Sequence, residues 1–497
     1  MQQKLKIFLA FSEVAPFIKT GGVGDVGGAL PKYLKEQGHD VRVITPQYRD
    51  INERRYILRD VIRLQDIEIP LGDEVVTVNV KSAFLPQSKV QVYFLDYKPY
   101  FFRKGIYQHP ETGNPYDDNA QRFILFSLGV LETLKKLQWQ PDIIHCNDWQ
   151  TALIPFLLRT SYQEDPFFQP VSSLLTIHDF EAQGVFPASD VNVLSLEEAC
   201  QNVLTGKDHK INFLKTGMMY ANYINTVNQE QYQKFLEAKD GSDLANVIQG
   251  RENLVVNIDD GIDEMVWNPA TDGLIENAFS KEDRDGKIEN KRAFLENISL
   301  PFHEEKPLIV LPVPVLNEKE KDLLQSVVSE ILKFDANLVL VADHKNPILK
   351  KYKPLQKTHS KQLAIAMDPH EKQSHQSLAA ADILFFPFHR QEVLHLAMFA
   401  MQYGTLPVVS HMVGIEQIIS PCDAKEGTGN GFIFSGQSVK NIASCLKNAL
   451  KLYQSAKWPL FVGNAMEQNL SWTEPAESYW KLYQKCVTDQ RKQTKKI

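Results

Sequence analysis

Nothing in this 497-residue chain has the spacing of a zinc site or a disulfide framework. Its five cysteines, Cys146, Cys200, Cys422, Cys445 and Cys486, are scattered, with no CxxC pair or Cys/His cluster. Reduced, mostly packed thiols are expected. Long apolar runs are also missing: Leu308 to Leu316 and Ile383 to Phe388 fall well short of the ~18 residues that would suggest a membrane-spanning helix. The opening MQQKLKIFLAFSE runs into a glycine loop rather than a small-residue cleavage site, so a cytoplasmic protein is expected. There is no basic excess either. A formal net charge of −7 argues against a general nucleic-acid binder, and basic runs such as Lys350 to Lys353 read as solvated surface. Low-complexity stretches and internal repeats are absent.

What is present is ordinary globular composition, 43% hydrophobic and 23% charged, in a length that suggests two domains. Short apolar runs alternate with amphipathic ones. Lys6 to Ala10, Asp40 to Thr45, Asp142 to Cys146 and Ser173 to Ile177 read as strands, each followed by a loop and a helical pattern. Asp66 to Leu95 shows strand alternation with turn residues, an antiparallel excursion. A second series begins near Pro307, with strands in Leu308 to Pro314, Asn337 to Asp343, Gln362 to Asp368, Asp382 to Phe388 and Leu406 to Ser410. The pattern predicts an α/β protein of two Rossmann-like domains facing each other across a cleft, residues 1–262 and 263–470, with a closing helical segment at 471–497.

The stretch KTGGVGDV, Lys19 to Val26, lies between the first strand and a helix-like run from Val26 to Gln37. Gly21 and Gly22 would let the backbone approach a ligand, amides at the helix start would face an anion, and Lys19 would add charge. Its lysine precedes the glycines, unlike that of a P-loop. A plain strand-to-helix turn explains the glycines about as well. In open parallel sheets ligands lie beyond the carboxyl ends of the strands, which singles out Glu13, Lys19, Asp148 and His178. Taken singly, His178 also reads as a core histidine and Asp148 as a helix cap.

The frame from Phe11 to Tyr48 resembles the opening of bacterial glycogen synthases and plant starch synthases of the ADP-glucose type. Glu13, Lys19, Gly21, Gly22, Gly24 and Asp25 match position for position. Further matches run colinearly: NPYDDNAQRFILFS from Asn114, PDIIHCNDWQTALIP from Pro141, TIHDFEAQGVFP from Thr176, INFLKTGMMYAN from Ile211, DGIDEMVWNPATD from Asp260, YGTLPVV from Tyr403 and LSWTEPAESYWKLY from Leu470. The resemblance implies the two-domain GT-B fold, with the last helix crossing back to the first domain. It also implies retaining transfer of glucose from a nucleotide sugar, ADP-glucose or UDP-glucose, to an α-1,4-glucan, with no metal or cofactor, while net charge and the short apolar runs speak against nucleic acid and membrane. By the same resemblance Lys19, Gly21 and Gly22 hold the donor phosphates, and Asp148 and His178 border the glucose. Glu13 and Asp25 lie towards the acceptor, and Lys319 neutralises the departing diphosphate.

Several positions depart from the family pattern. Gln150 follows Trp149 where a histidine is common, Ala182 replaces a tyrosine, and Asp179 and Asp260 replace asparagines, adding negative charge. In the second half Pro314 stands where the family has an arginine, Glu318 and Glu320 flank Lys319, and Val341 to Pro347 lacks the usual glycines. An ungapped alignment puts Gln391 at the family's donor-site glutamate, with Glu392 available by a one-residue shift. The first reading is therefore an enzyme carried by His178, Asp148, Lys319, Gln391 and Glu392. The alternative is a weak or inactive glucan-binding scaffold or regulator, and a third is an enzyme using a different donor. Arg390 and Arg251 are the arginines placed to substitute for the missing one.

Overall fold

The computed structural model describes residues 4–110, 112–190, 209–237, 243–342, 346, 348–367, 372–390 and 392–494. The chain divides into two compact units, Met1–Gly261 with Trp472–Ile497, and Ile262–Ser471.

The first unit combines parallel strands buried almost without interruption, such as β7 and β8, the pattern of a sheet covered on both faces, with antiparallel strands that are exposed or alternate between buried and exposed. These are β1 (Lys6–Ala10), β2 (Asp40–Pro46), β3 (Arg59–Asp60), β4 (Ile67–Leu71), β5 (Glu74–Phe84), β6 (Gln91–Asp96), β7 (Ile143–Asn147) and β8 (Ser172–Ile177). The small pair β9 (Val185–Pro187) and β10 (Lys210–Asn212) follows, then β11 (Tyr223–Thr226) and β12 (Val255–Asn257). The main sheet runs β12-β11-β8-β7-β1-β2-β6-β5-β3, with β4 paired to β5. The pairs from β12 to β6 are parallel, and β3, β4 and β5 form the antiparallel excursion. Since β1 leads to β2 on one side and pairs with β7 on the other, the strand order reverses between β1 and β7. That reversal opens a crevice at the carboxyl ends of these two strands.

The helix after β1, α1 (Gly22–Glu36), begins four residues earlier than its apolar pattern predicts, with Gly21 extended at its N-cap. Gly22, Gly24 and Gly27 have literal GxGxxG spacing, yet all three lie inside the helix rather than in a turn before it. Packing is the reason. A Cβ on Gly28 would lie 2.6 Å from the Ala15 carbonyl oxygen and one on Gly27 2.9 Å from that of Glu13. The glycines thus bring α1 against the segment that follows β1.

The helix Thr473–Thr494 packs on this sheet. Tyr483 lies 2.8 Å from Nδ1 of the fully buried His145, whose Nε2 lies 2.7 Å from Thr176 Oγ1. Burial pulls the His145 imidazole down to about 3, so it stays neutral. Nearby, Asn225 Nδ2 donates to the Tyr479 hydroxyl at 2.8 Å. The aromatic closing motif is spent on buried polar contacts.

The second unit holds β13 (Leu308–Pro312), β14 (Asn337–Ala342), β15 (Leu363–Met367), β16 (Ile383–Phe386), β17 (Leu406–Ser410) and β18 (Phe432–Phe434), in the order β15-β14-β13-β16-β17-β18. Every pairing is parallel. Its order reverses between β13 and β16. Two matched motifs meet inside this unit: Tyr403 donates to Asp272 Oδ2 at 2.5 Å, and His375 Nδ1 lies 2.7 Å from the same oxygen. Trp267 is stacked between His375 and Phe399, at centroid distances of 3.9 and 4.0 Å. Cys146 and Cys486 are buried free thiols, Cys422 and Cys445 are half-buried and free, and Cys200 lies outside the described residues.

Candidate functional site

In the first unit the crevice between β1 and β7 collects most of the residues singled out from the sequence. Glu13 follows β1 and is 3% exposed, with its carboxylate turned onto the glycine segment. It accepts from the backbone N–H of Thr20, from that of Gly21 at 3.2 Å, from Thr20 Oγ1 at 3.0 Å and from the Tyr107 hydroxyl at 2.8 Å. Burial raises the Glu13 carboxyl above its ordinary range, and these donors only partly offset it. The carboxylate therefore shapes the loop that carries Lys19. Lys19 Nζ lies 2.6 Å from Asp25 Oδ1, in the first turn of α1 where the helix dipole favours an acid. A cation and the helix start are thus held side by side, with Gly21 and Gly22 at the end of the helix.

On the other side of the crevice, Asp148 follows β7 with φ of 55°, a left-handed conformation that aspartate tolerates better than most residues. Its Oδ1 accepts from the His178 backbone N–H at 2.7 Å, tying the end of β7 to the end of β8. Burial pushes the Asp148 carboxyl up to about 6, against the pull of His178. His178 Nε2 lies 3.1 Å from Asn147 Oδ1, and Nδ1 lies 3.4 Å from Asp260 Oδ2. Asn147 in turn donates to the Ala10 carbonyl at 3.2 Å, bridging β7 to β1. Burial pulls the His178 imidazole down, but Asp260 and then Asp148 outweigh it, so its proton is held above the ordinary range. The negative charge that Asp260 brings to this position is met by an imidazole it helps keep protonated.

This pairing gives a direct test. Asp260→Asn is expected to lower the pKa of His178, and Asp148→Asn to lower it less, read from histidine ring signals in an NMR titration. The folded pKa is raised, so this interaction stabilises the protein fully below about pH 6.5 and is lost as pH rises through the folded pKa. The stability difference between wild type and Asp260→Asn should therefore be larger at pH 6 than at pH 9.

In the second unit the corresponding crevice lies between β13 and β16. Pro314 is half-buried in the loop after β13, whose Val313 and Pro314 carbonyls each accept from Asn346 Nδ2 at 3.0 Å. Lys319 is exposed in the first turn of the helix Glu318–Ile331, and its side chain has no hydrogen-bond or ion-pair partner among the described residues. Glu320 closes a capping box with Asn317 and is gripped by Arg390 from the loop after β16. Glu392 begins the helix Glu392–Gln402, and burial raises its carboxyl although Arg390 opposes the shift. Gln391 lies outside the described residues, as do Asp343, His344, Lys345 and Pro347 of the loop after β14. Arg251 is committed elsewhere. Its guanidinium donates to the carbonyls of Met218, Met219 and Ala221, closing the end of the helix Phe213–Tyr220.

Tyr107, Thr20 and Asn147 were not singled out from the sequence. Tyr107 and Asn147 act through contacts between separate segments, and Thr20 through a turn of its own loop back onto Glu13, none of which a local motif announces. Among the described residues no group of three or more His, Cys, Asp or Glu side chains is placed to hold a metal ion. None of the described helices is long and apolar enough to cross a membrane.

Against known proteins, the family described as starch synthase catalytic domain matches residues 6–250. The glycogen synthase of Chlorobium phaeobacteroides is 33% identical over 488 residues, which cover 98% of this chain and 99% of that protein. The chain belongs to the glycogen and starch synthase family. A second relative, the glycogen synthase of Syntrophotalea carbinolica, is 32% identical over 486 residues, 97% of this chain and 99% of its own. Among solved structures, the catalytic domain of starch synthase IV from Arabidopsis thaliana, bound to ADP and acarbose, superposes with a TM-score of 0.87. Its sequence is 26% identical, covering 98% of this chain and all of that one. The sucrose-phosphate synthase of Thermosynechococcus elongatus shares the fold alone, with a TM-score of 0.59 and 12% identity over 98% of this chain and all of its own. The chain is thus a glycosyltransferase of the glycogen/starch synthase type, with the α/β fold called GT-B.

Proposed function

We propose that this synthase transfers glucose from ADP-glucose to the non-reducing end of an α-1,4-glucan, with retention of anomeric configuration, in the cytoplasm. The observation that carries this reading is the convergence of Lys19, Asp148 and His178 on the strand-order reversal between β1 and β7, in a chain so similar to a starch synthase bound to ADP. Lys19 and the start of α1 meet the donor phosphates, where backbone amides and an ammonium favour an anion. Asp148 and His178 position the glucose. Lys319 stabilises the diphosphate as it departs, where negative charge develops on the leaving group. Glu13 acts through the loop it organises, and Asp25 holds Lys19 in place. Glu392 supplies a carboxylate near the donor glucose.

Calorimetric titration with millimolar ADP-glucose and UDP-glucose tests the donor. Saturable binding, tighter for ADP-glucose, is the expected outcome. Retention on a glycogen column with no nucleotide-sugar binding would favour the scaffold reading instead.

A further inference from the structure

Arg390 is the cation best placed at the second strand-order reversal, and its present partner is an internal carboxylate. It leaves the loop after β16 and reaches the loop after β13 and the first turn of the helix that follows it. There its Nε and Nη2 donate to the two carboxylate oxygens of Glu320 at 2.8 and 2.6 Å, and Nη2 also donates to the Val315 carbonyl at 2.7 Å. The guanidinium thus sits on the residue next to Pro314, beside the start of the helix Glu318–Ile331, with the exposed Lys319 one position from Glu320.

The charges around this point do not favour a diphosphate as they stand. Arg390 and Lys319 are set against Glu318, Glu320 and Glu392. Glu318 is drawn off by Lys321 at 2.6 Å, which leaves Glu320 as the carboxylate holding the arginine. Glu320 and Arg390 are both only partly exposed, 13% and 26%. A forked arginine–carboxylate contact has the geometry an arginine also offers a phosphate.

We propose that Arg390 is a catalytic residue of this chain, the cation that meets the departing diphosphate, and that Glu320 is a resident counter-anion which the donor displaces. The inference rests on the nucleotide-sugar reading above. It supplies from the neighbouring strand's loop the positive charge that the loop containing Pro314 lacks. It also gives a physical role to an acid placed where an anionic ligand should bind. Donor binding then exchanges one anion for another at a preformed guanidinium, at the cost of releasing Glu320 to solvent.

Glu320→Gln removes the charge while keeping the capping box, which glutamine also forms. Arg390→Gln removes the cation. ADP binding by calorimetry and glucose transfer by label incorporation are measured for wild type, both single variants and the double variant. Glu320→Gln is expected to tighten ADP binding about fivefold, and Arg390→Gln to lower kcat/KM on the order of 10²-fold. The gain from Glu320→Gln should vanish in the Arg390→Gln background. If the pair is only a structural tie, both single variants will lower the unfolding midpoint, with ADP affinity and kcat/KM of the folded protein unchanged. That result overturns the proposal while wild type still binds ADP-glucose. Failure of wild type to bind any nucleotide sugar overturns the donor reading itself.

Discussion

Lys19→Ala is expected to lower glucose incorporation into glycogen by on the order of 10²–10³-fold, the usual cost of removing one preorganised charge from a leaving-group site. The same substitution should leave the fold nearly untouched. Lys19 is about one-third exposed, and its partner Asp25 already sits in the first turn of α1 where an acid is favoured. Losing such a partly exposed ion pair costs about 1 kcal/mol or less. Activity and stability should therefore separate cleanly, with a large fall in kcat/KM and a melting midpoint close to wild type. A parallel loss of both would mean that Lys19 works mainly by holding the loop together.

His178→Ala should have a comparable effect on rate, with a distinctive pH signature. The backbone N–H at position 178 still donates to Asp148, so the tie between β7 and β8 survives. The imidazole, however, pulls the Asp148 carboxyl down from where burial alone would put it. Without the ring, Asp148 should titrate above its present value of about 6. The residual activity, if it needs ionised Asp148, should shift its acidic limb to higher pH. Rate measured from pH 5 to pH 9 for wild type, His178→Ala and His178→Gln would show this. An unshifted limb would remove Asp148 from the ionisation that governs turnover.

The two sheets were legible because buried parallel strands are continuous apolar runs. β1 and β17 lie where the sequence places them, and β2, β7, β8, β14, β15 and β16 differ by one or two residues at their ends. The antiparallel excursion was readable from its alternation. The start of α1 was misplaced because glycines lower helix propensity, and here they are required by packing against Ala15 and Glu13 rather than by a turn. The short β18 carried no pattern of its own.

For the candidate site, the loops could be named but not the partners within them. Glu13 was read as facing the acceptor, and its carboxylate is bonded to Thr20, Gly21 and Tyr107. Asp260 was read as added repulsion, and it faces an imidazole 82 residues earlier in sequence whose proton it stabilises. Pro314 was read as a missing cation, and a guanidinium reaches the adjacent carbonyl from the loop after β16. Apart from the bonds of Glu13 to Thr20 and Gly21 within its own loop, each contact joins segments that the sheet topology brings together, and no local spacing encodes that meeting.

Turnover is measured most directly as transfer of labelled glucose from ADP-glucose into glycogen by the purified protein, beside its Lys19→Ala variant. Incorporation by wild type that is lost in the variant is the expected result. No incorporation by either protein, with glycogen still bound by both, would rule out turnover and leave a glucan-binding relative without catalysis.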